Sequence, residues 1–231
     1  LGTILSIWAH PDDEAYLSAG LMASAAEAGQ RVVCVTATAG ELGTDDPATW
    51  PPSRLGPLRR EEAAAAMAVL GVREHLVLGY ADGGLDEVGD TEGIAAIERL
   101  IADVAPDTIL TFGPDGTTFH ADHIAIHRWT TEAWRRSGRC ARLLHSATTV
   151  DHLDRFGALL EEWGVYMDER RPDGVGRHEL AVDMCFEPHE LDRKLAALRA
   201  MPSQTASAMA SIDPATFSAE ISDECFVEVT A

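Results

Sequence analysis

Residues 4–14 read I-L-S-I-W-A-H-P-D-D-E, an apolar run that ends abruptly in His10, Pro11, Asp12, Asp13 and Glu14. Ile4 to Ala9 is nearly all apolar and shows no helical period, so it predicts a strand covered on both faces, the kind found in parallel sheets. Pro11 lacks the N–H that a central strand requires and stops the run. Open α/β sheets hold their ligands beyond the carboxyl ends of the strands. A metal-type donor pair, His10 and Asp13, therefore falls where chemistry is expected.

Working outward, the chain keeps alternating. Ala15 to Ala28 reads as a helix stopped by Gly29, and Arg31 to Thr38 as a second, β-branched strand. Leu58 to Leu70 is helical up to Gly71. A short strand at Leu76 to Leu78 follows, then a helix from Asp90 or Thr91 to Val104 and a strand at Thr108 to Phe112. This βαβαβαβ order predicts an α/β fold with a doubly wound, mostly parallel sheet and helices on both faces. Further strands are expected at Leu143 to Val150 and Leu180 to Met184. Helices are expected from the loop at Gly113–His123 to about Arg136, across Leu153 to Trp163, and before Pro202. No assignment emerges beyond Gln204. Between the second strand and its helix lies Ala39 to Gly56, rich in Gly and Pro, and its length and its start at the His10 edge suggest a lid over a substrate.

At 231 residues, with no Pro/Gly/Ser-rich linker, one domain over residues 1–231 is expected. Thirty-eight acidic residues against eighteen basic ones leave a net charge of −20, which repels phosphate backbones and anionic lipid heads. Nucleic acid and membranes are accordingly not expected as partners, whereas a homo-oligomer stays open. The cysteines Cys34, Cys140, Cys185 and Cys225 form no C-x-x-C pair, which favours a reduced, cytoplasmic setting. No stretch reaches the roughly 20 apolar residues of a membrane span.

A second chemical cluster, G-P-D-G-T-T-F-H-A-D-H at residues 113–123, follows the Thr108–Phe112 strand. Zinc takes a few N and O donors and keeps one position open when catalytic. His10, Asp13 and His123 supply two imidazoles and a carboxylate from one sheet edge. Asp12 is then free to act as a general base, His120 to donate to an oxyanion, and Asp122 to orient a histidine. Each residue also has a plainer explanation. An acid after a strand often caps the next helix, Glu41 and Asp82 fit solvated carboxylates, and Arg59 with Glu62 fits a surface pair one helical turn apart. His127 is either an additional ligand or a packed histidine.

The stretch A-H-P-D-D-E at residues 9–14 together with H-A-D-H at residues 120–123 resembles the LmbE/PIG-L family of zinc-dependent N-deacetylases. T-A-G-E-L-G at residues 38–43, R-x-x-E at residues 59–62 and K-x-x-A-L…S-Q at residues 194–204 add to the likeness. The resemblance implies a Rossmann-like fold, one zinc ion per chain, and hydrolysis of an acetamide on an N-acetylglucosamine-type sugar. By position it makes His10, Asp13 and His123 the metal ligands, Asp12 the base and His120 the group stabilising the tetrahedral intermediate. It makes Asp122 the acid paired with the histidine motif, and Arg59 a substrate-holding arginine. Ala121, Phe119, Thr118 and Met201 depart from the family's usual proline, glycine, tyrosine and histidine. Phe119 is thereby expected to contact substrate and to favour a flat or apolar conjugate. An amidase for a larger thiol or sugar conjugate is the alternative activity. A sugar- or nucleotide-binding module without turnover is the alternative of another class, although the first loop lacks the G-x-G-x-x-G that such a module uses for a pyrophosphate.

Overall fold

A computed structural model describes residues 1–230. In chain order the elements are β1 (Ile4–Trp8), α1 (Asp13–Leu17), α2 (Ala19–Glu27), β2 (Val32–Thr38), α3 (Pro52–Leu70) and β3 (Glu74–Tyr80). They continue with α4 (Leu85–Val88), α5 (Asp90–Val104), β4 (Thr108–Thr111), α6 (Ala121–Arg136), β5 (Arg142–Ser146) and α7 (Val150–Glu162). The last are β6 (Val182–Cys185), α8 (Pro188–Arg199), α9 (Pro202–Ser211), α10 (Pro214–Glu220) and β7 (Asp223–Glu228).

The seven strands form one sheet in the order β3-β2-β1-β4-β5-β7-β6, parallel from β3 through β5. Every residue of β1, β2 and β4 is buried, as continuous apolar runs between two helical layers require. The chain leaves β1 toward β2 and β3 on one side and returns through β4 and β5 on the other. The loops after β1 and β4 therefore open side by side at the point where strand order reverses.

Besides the short helices α4, α9 and α10, two features that bear on the site lie outside the sequence reading. The first is β7, which enters antiparallel between β5 and β6. Its signal is faint because Asp223, Glu224 and Glu228 interrupt a short run. The second is a break in the helix expected over residues 15–28, which divides at Ser18 into α1 and α2. The cause is tertiary. The Glu224 carboxylate of β7 accepts the N–H groups of Gly20 and Leu21, both at 2.9 Å, and so caps α2 from a distant part of the chain. Lys194, the only lysine in the sequence, donates to Glu224 at 3.1 Å and to the Tyr16 carbonyl at 2.7 Å. Both charged side chains are 1% exposed.

Removing Lys194 alone leaves Glu224 buried and uncompensated. Lys194→Met is expected to lose about 3–5 kcal/mol in denaturant unfolding. The double variant Lys194→Met/Glu224→Gln is expected to lose less than the sum of its single changes.

The C-terminal elements are fastened by a second ionic contact. His152 of α7 sits 3.5 Å from Glu220 and 3.7 Å from Asp223. Burial disfavours its imidazolium, but the two carboxylates outweigh burial and hold the group up to about 9, from 6.5. Because the folded value is the higher one, this contribution is complete below about pH 6.5 and is lost as pH rises through 9. Unfolding measured at pH 6 and at pH 9.5 should show a stability difference that narrows in His152→Gln.

Candidate functional site

The site begins at the end of β1, where the backbone turns sharply. Asp12 has φ 126°, a region that L-residues rarely adopt, and its N–H donates to Glu14 Oε2 at 3.1 Å. This turn aims His10, Asp12 and Asp13 into a cavity of about 1090 Å³ that Thr118, His120 and His123 also line. The β4–α6 loop supplies Thr118 and His120, and the first turn of α6 supplies His123. Gly116, at φ 65°, allows its tight turn, and a Cβ there would stand 2.7 Å from that of His123.

Hydrogen bonds fix what each imidazole presents. His123 Nδ1 lies 2.9 Å from the Gly116 carbonyl oxygen, an acceptor only, so Nδ1 carries the proton and Nε2 is left bare. His10 Nε2 lies 3.1 Å from Asp82 Oδ1 and 3.2 Å from Asp122 Oδ2, so its proton is there and Nδ1 faces inward. The two inward nitrogens are 3.2 Å apart. Asp13 closes the triangle, with Oδ1 3.3 Å from His123 Nε2 and Oδ2 3.6 Å from His10 Nδ1. A tetrahedral shell of about 2.0–2.2 Å radius places its ligands about 3.3–3.6 Å apart. Asp13 meets the two nitrogens through different oxygens, and Oδ2 also accepts the His10 N–H at 2.8 Å, so the spacing approaches that of a zinc-type shell and one carboxylate oxygen completes it.

The protonation energetics point the same way. Burial opposes a charged His10, but Asp122, Asp82 and Asp13 outweigh it and raise the group to about 10, while burial and the His10 charge push His123 down to about 3. The pocket is built to hold positive charge beside a neutral imidazole.

His120 caps α6, with Nδ1 accepting the Asp122 N–H at 3.1 Å. Its ring stacks at 4.9 Å on that of His123 and lies edge-on, 4.8 Å away, to that of His10. The three histidines offer nitrogen atoms within 4.8 Å of one another. Only Nε2 of His120 is left without a protein partner, however, and burial together with its charged neighbours keeps this imidazole below its ordinary pKa. Asp12 borders the same space. Burial and the Asp13 charge raise its carboxyl to about 6 against the pull of Arg59, whose Nη2 is 3.4 Å from Oδ2.

Asp122 meets a histidine, as the sequence suggests, while Arg59 and Phe119 stand in relations other than those it suggests. Asp122 is fully buried and outside the cavity lining. Its oxygens are occupied by His10 Nε2 and by the N–H groups of Gly83 and Leu85, so it holds the His10 ring. Arg59 is 3% exposed and not a surface ion pair. It donates to the carbonyls of Gly40 and Pro11, while Glu62 accepts from the Ser203 N–H and hydroxyl. A Cβ on Gly40 would stand 2.1 Å from Arg59 Nη1, which accounts for glycine at this place in T-A-G-E-L-G. Although Arg59 borders the cavity, its Nη1 and Nη2 are held by backbone carbonyls and Asp12 and it braces the Asp12 turn, while its buried Nε has no hydrogen-bond partner.

Phe119 is also displaced from its expected role. At φ 63° its backbone is left-handed, and its ring lies outside the cavity lining, 6.4 Å from the Tyr166 ring and 4.7 Å from the Arg170 guanidinium. It braces the loop after α7 and does not form a wall of the site. His127 turns to the Phe112 carbonyl and the His145 ring, away from the ligand cluster. Of the suggested lid, Leu42 and Gly43 reach the cavity, while residues 52–56 form the first turns of α3. Asp82 is the residue that sequence reasoning missed. Its position after β3, on the same sheet edge as His10, is the signal that would have found it. Burial opposes its charge, yet its hydrogen bond to His10 pulls the carboxyl down to about 2.

The comparisons with known proteins follow this geometry. The family profile described as PIG-L: GlcNAc-PI de-N-acetylase matches residues 5–134. A 1D-myo-inositol 2-acetamido-2-deoxy-alpha-D-glucopyranoside deacetylase from Saccharomonospora viridis is 34% identical over 198 residues, covering 76% of this chain and 72% of that one. One of the same description from Streptomyces scabiei is 38% identical over 147 residues, 54% of this chain and 46% of the relative. In structure, the chain is similar to N,N'-diacetylchitobiose deacetylase from Pyrococcus horikoshii. The TM-score is 0.71 at 21% identity, covering 98% of this chain and 83% of that one, a likeness of fold.

His10→Ala, Asp13→Ala and His123→Ala should each abolish stoichiometric metal in elemental analysis. Asp82→Asn should keep the metal but bind it about 10–100-fold more weakly in a chelator competition, the usual cost of losing a partner that orients a ligand.

Proposed function

The chain belongs to the PIG-L family, and from that membership we propose that it is a zinc-dependent N-deacetylase, hydrolysing the acetamide of an N-acetylglucosamine-type amino-sugar conjugate to acetate and a free amine. The single observation supporting this most strongly is the triangle of inward donors from His10, Asp13 and His123, spaced 3.2–3.6 Å apart, with the Asp12 carboxyl beside it. One zinc ion per chain would be held by those three residues. It would supply Lewis acidity toward the amide carbonyl and lower the pKa of a water at its open position.

The protein's own groups do the rest. Asp12 takes the proton of the attacking water and returns it to the departing amine nitrogen. Its hold on the Glu14 carboxylate, made through its backbone N–H, and its contact with Arg59 keep the carboxyl in place for both transfers. His120, fixed through Nδ1 by its cap on α6, has Nε2 available to donate to the oxyanion that develops on the amide. Asp82 and Asp122 hold His10 through Nε2, Asp122 from outside the cavity and Asp82 from its wall.

Residues 1–231 acting as one catalytic domain is part of this reading, as is a cytoplasmic setting. The latter is supported by four cysteines that are all free, two of them exposed. No helix among the described residues is long and apolar enough to cross a membrane.

Release of amine from an N-acetyl amino sugar, measured on the zinc-loaded protein, tests the proposal. Asp12→Asn keeps the shape but not the basicity, so it should retain zinc and lose about 10²–10⁴ in kcat. For His120→Ala the expected loss is about 10²–10³. Arg59→Ala should act mainly on kcat, because its contacts are with the Asp12 turn; an effect confined to KM would make it a substrate contact instead.

A further inference from the structure

The catalytic groups occupy one end of the cavity. Its volume, about 1090 Å³, lies at the top of the range of about 300–1,000 Å³ that accommodates a drug-sized ligand, and a lone N-acetyl hexosamine would leave most of it empty. The remainder carries large apolar side chains, interspersed with the small polar groups of Ser146, Thr148, Thr149, Gln204, Ser207 and Ser211. Leu160, Trp163 and Tyr166 wall it from the end of α7 and the loop that follows. Ile212, Phe217 and Ile221 wall it from the segment spanning α9, α10 and the turn into β7. Met167, 55% exposed, sits at its edge, and its N–H donates to the Thr118 carbonyl at 2.9 Å, which ties this apolar wall to the loop carrying His120 and His123.

Charge in the distal part is of one sign. Among the described residues Arg59 is the only arginine or lysine lining the cavity, and its Nη groups are held beside Asp12 at the catalytic end. Glu162, Glu220 and Asp223 line the distal part, and the one cation among them, His152, is held between Glu220 and Asp223. The nearby arginines 170 and 171 are paired with Asp168 and Glu161. With a net charge of −20 on the chain, nothing here compensates a phosphate or carboxylate on the ligand. All these distal residues lie after position 134, beyond the part of the chain that the family profile matches.

We propose that residues 146–225 build a second subsite, continuous with the catalytic end, that receives the aglycone of the amino-sugar substrate and selects an uncharged, apolar one, aromatic or alkyl, while rejecting anionic conjugates. This rests on the deacetylase reading for the sugar end, and it specifies what that reading leaves open. The occupant is the far part of the substrate itself, because the apolar walls and the donor triangle share one cavity. An alkyl or aromatic group gains with each methylene or ring edge that the apolar side chains remove from water, and it meets no charge that must be desolvated to receive it between Trp163 and Phe217.

The test compares kcat/KM of the zinc-loaded protein for four substrates: N-acetylglucosamine, its inositol conjugate, its octyl glycoside and its 1-phosphate. The octyl glycoside is expected to exceed each of the others by about ten-fold or more. Trp163→Ala should shrink that advantage, and Ser207→Lys, which places a cation on the cavity wall, should raise the use of the 1-phosphate relative to the octyl glycoside. A wild type that prefers the inositol conjugate or the 1-phosphate, or an advantage that Trp163→Ala leaves unchanged, overturns the proposal. If no N-acetyl sugar is turned over at all, the deacetylase reading fails, and the subsite is then decided by calorimetry with octyl glucoside, which has no acetamide. Binding that weakens in Trp163→Ala supports the subsite; no binding to the wild type overturns it.

Discussion

Two imidazole nitrogens and a carboxylate face one another across 3.2–3.6 Å, a grouping that depends on positive charge: here the proton of His10, whose group is raised to about 10, which Nδ1 shares with His123 Nε2. Much of the surrounding structure serves to keep these groups there. His123 is locked through Gly116, whose left-handed turn no side chain would permit cheaply. His10 is locked through Asp82 and Asp122, each itself satisfied by backbone N–H groups of neighbouring loops: Leu42 for Asp82, Gly83 and Leu85 for Asp122. The loops after β1, β2, β3 and β4 are thus joined in one network. Its outward nitrogens each have an acceptor, Asp82 and Asp122 for His10 and the Gly116 carbonyl for His123, and its inward nitrogens face each other and Asp13.

The same economy explains residues that look unrelated in the sequence. Thr38 bonds the Ala9 carbonyl and the Gly40 N–H, Gly40 makes room for Arg59, and Arg59 reaches the Pro11 carbonyl and the Asp12 side chain. The strained backbone of Asp12 is therefore held from both sides, by Glu14 and by α3. Lys194 and Glu224 act one layer further out, joining α8 and β7 to the break between α1 and α2. Stability and the geometry of the site share these contacts, because the helical segment that follows Asp12 is the one that Glu224 of β7 helps to break at Ser18.

The strands β1, β2 and β4 were legible because a strand buried on both faces must be apolar throughout, and the donor-rich segments at their ends were legible because so few residue types fit there. Asp82 was not, since an acid between Gly and Ala residues in a loop looks the same whether it meets water or an imidazole. Phe119 was read as a substrate contact from its type and place; a φ of 63° turned its ring toward Tyr166 and Arg170 instead. Arg59 and Glu62, a surface pair by spacing, were separated by partners 19 and 141 residues away.

By itself, then, the sequence determined the parallel sheet, the edge on which chemistry sits and the donor set His10, Asp13 and His123, because hydrophobic period and ligand chemistry are local properties of residue type. Only the tertiary structure decided which nitrogen of each imidazole faces inward, which carboxylates orient and which border the cavity, and where β7 enters the sheet. It also decided the apolar far end of the cavity. Those outcomes depend on hydrogen bonds and packing between segments more than a hundred residues apart, such as Glu224 with Gly20, and no pattern within either segment encodes its partner.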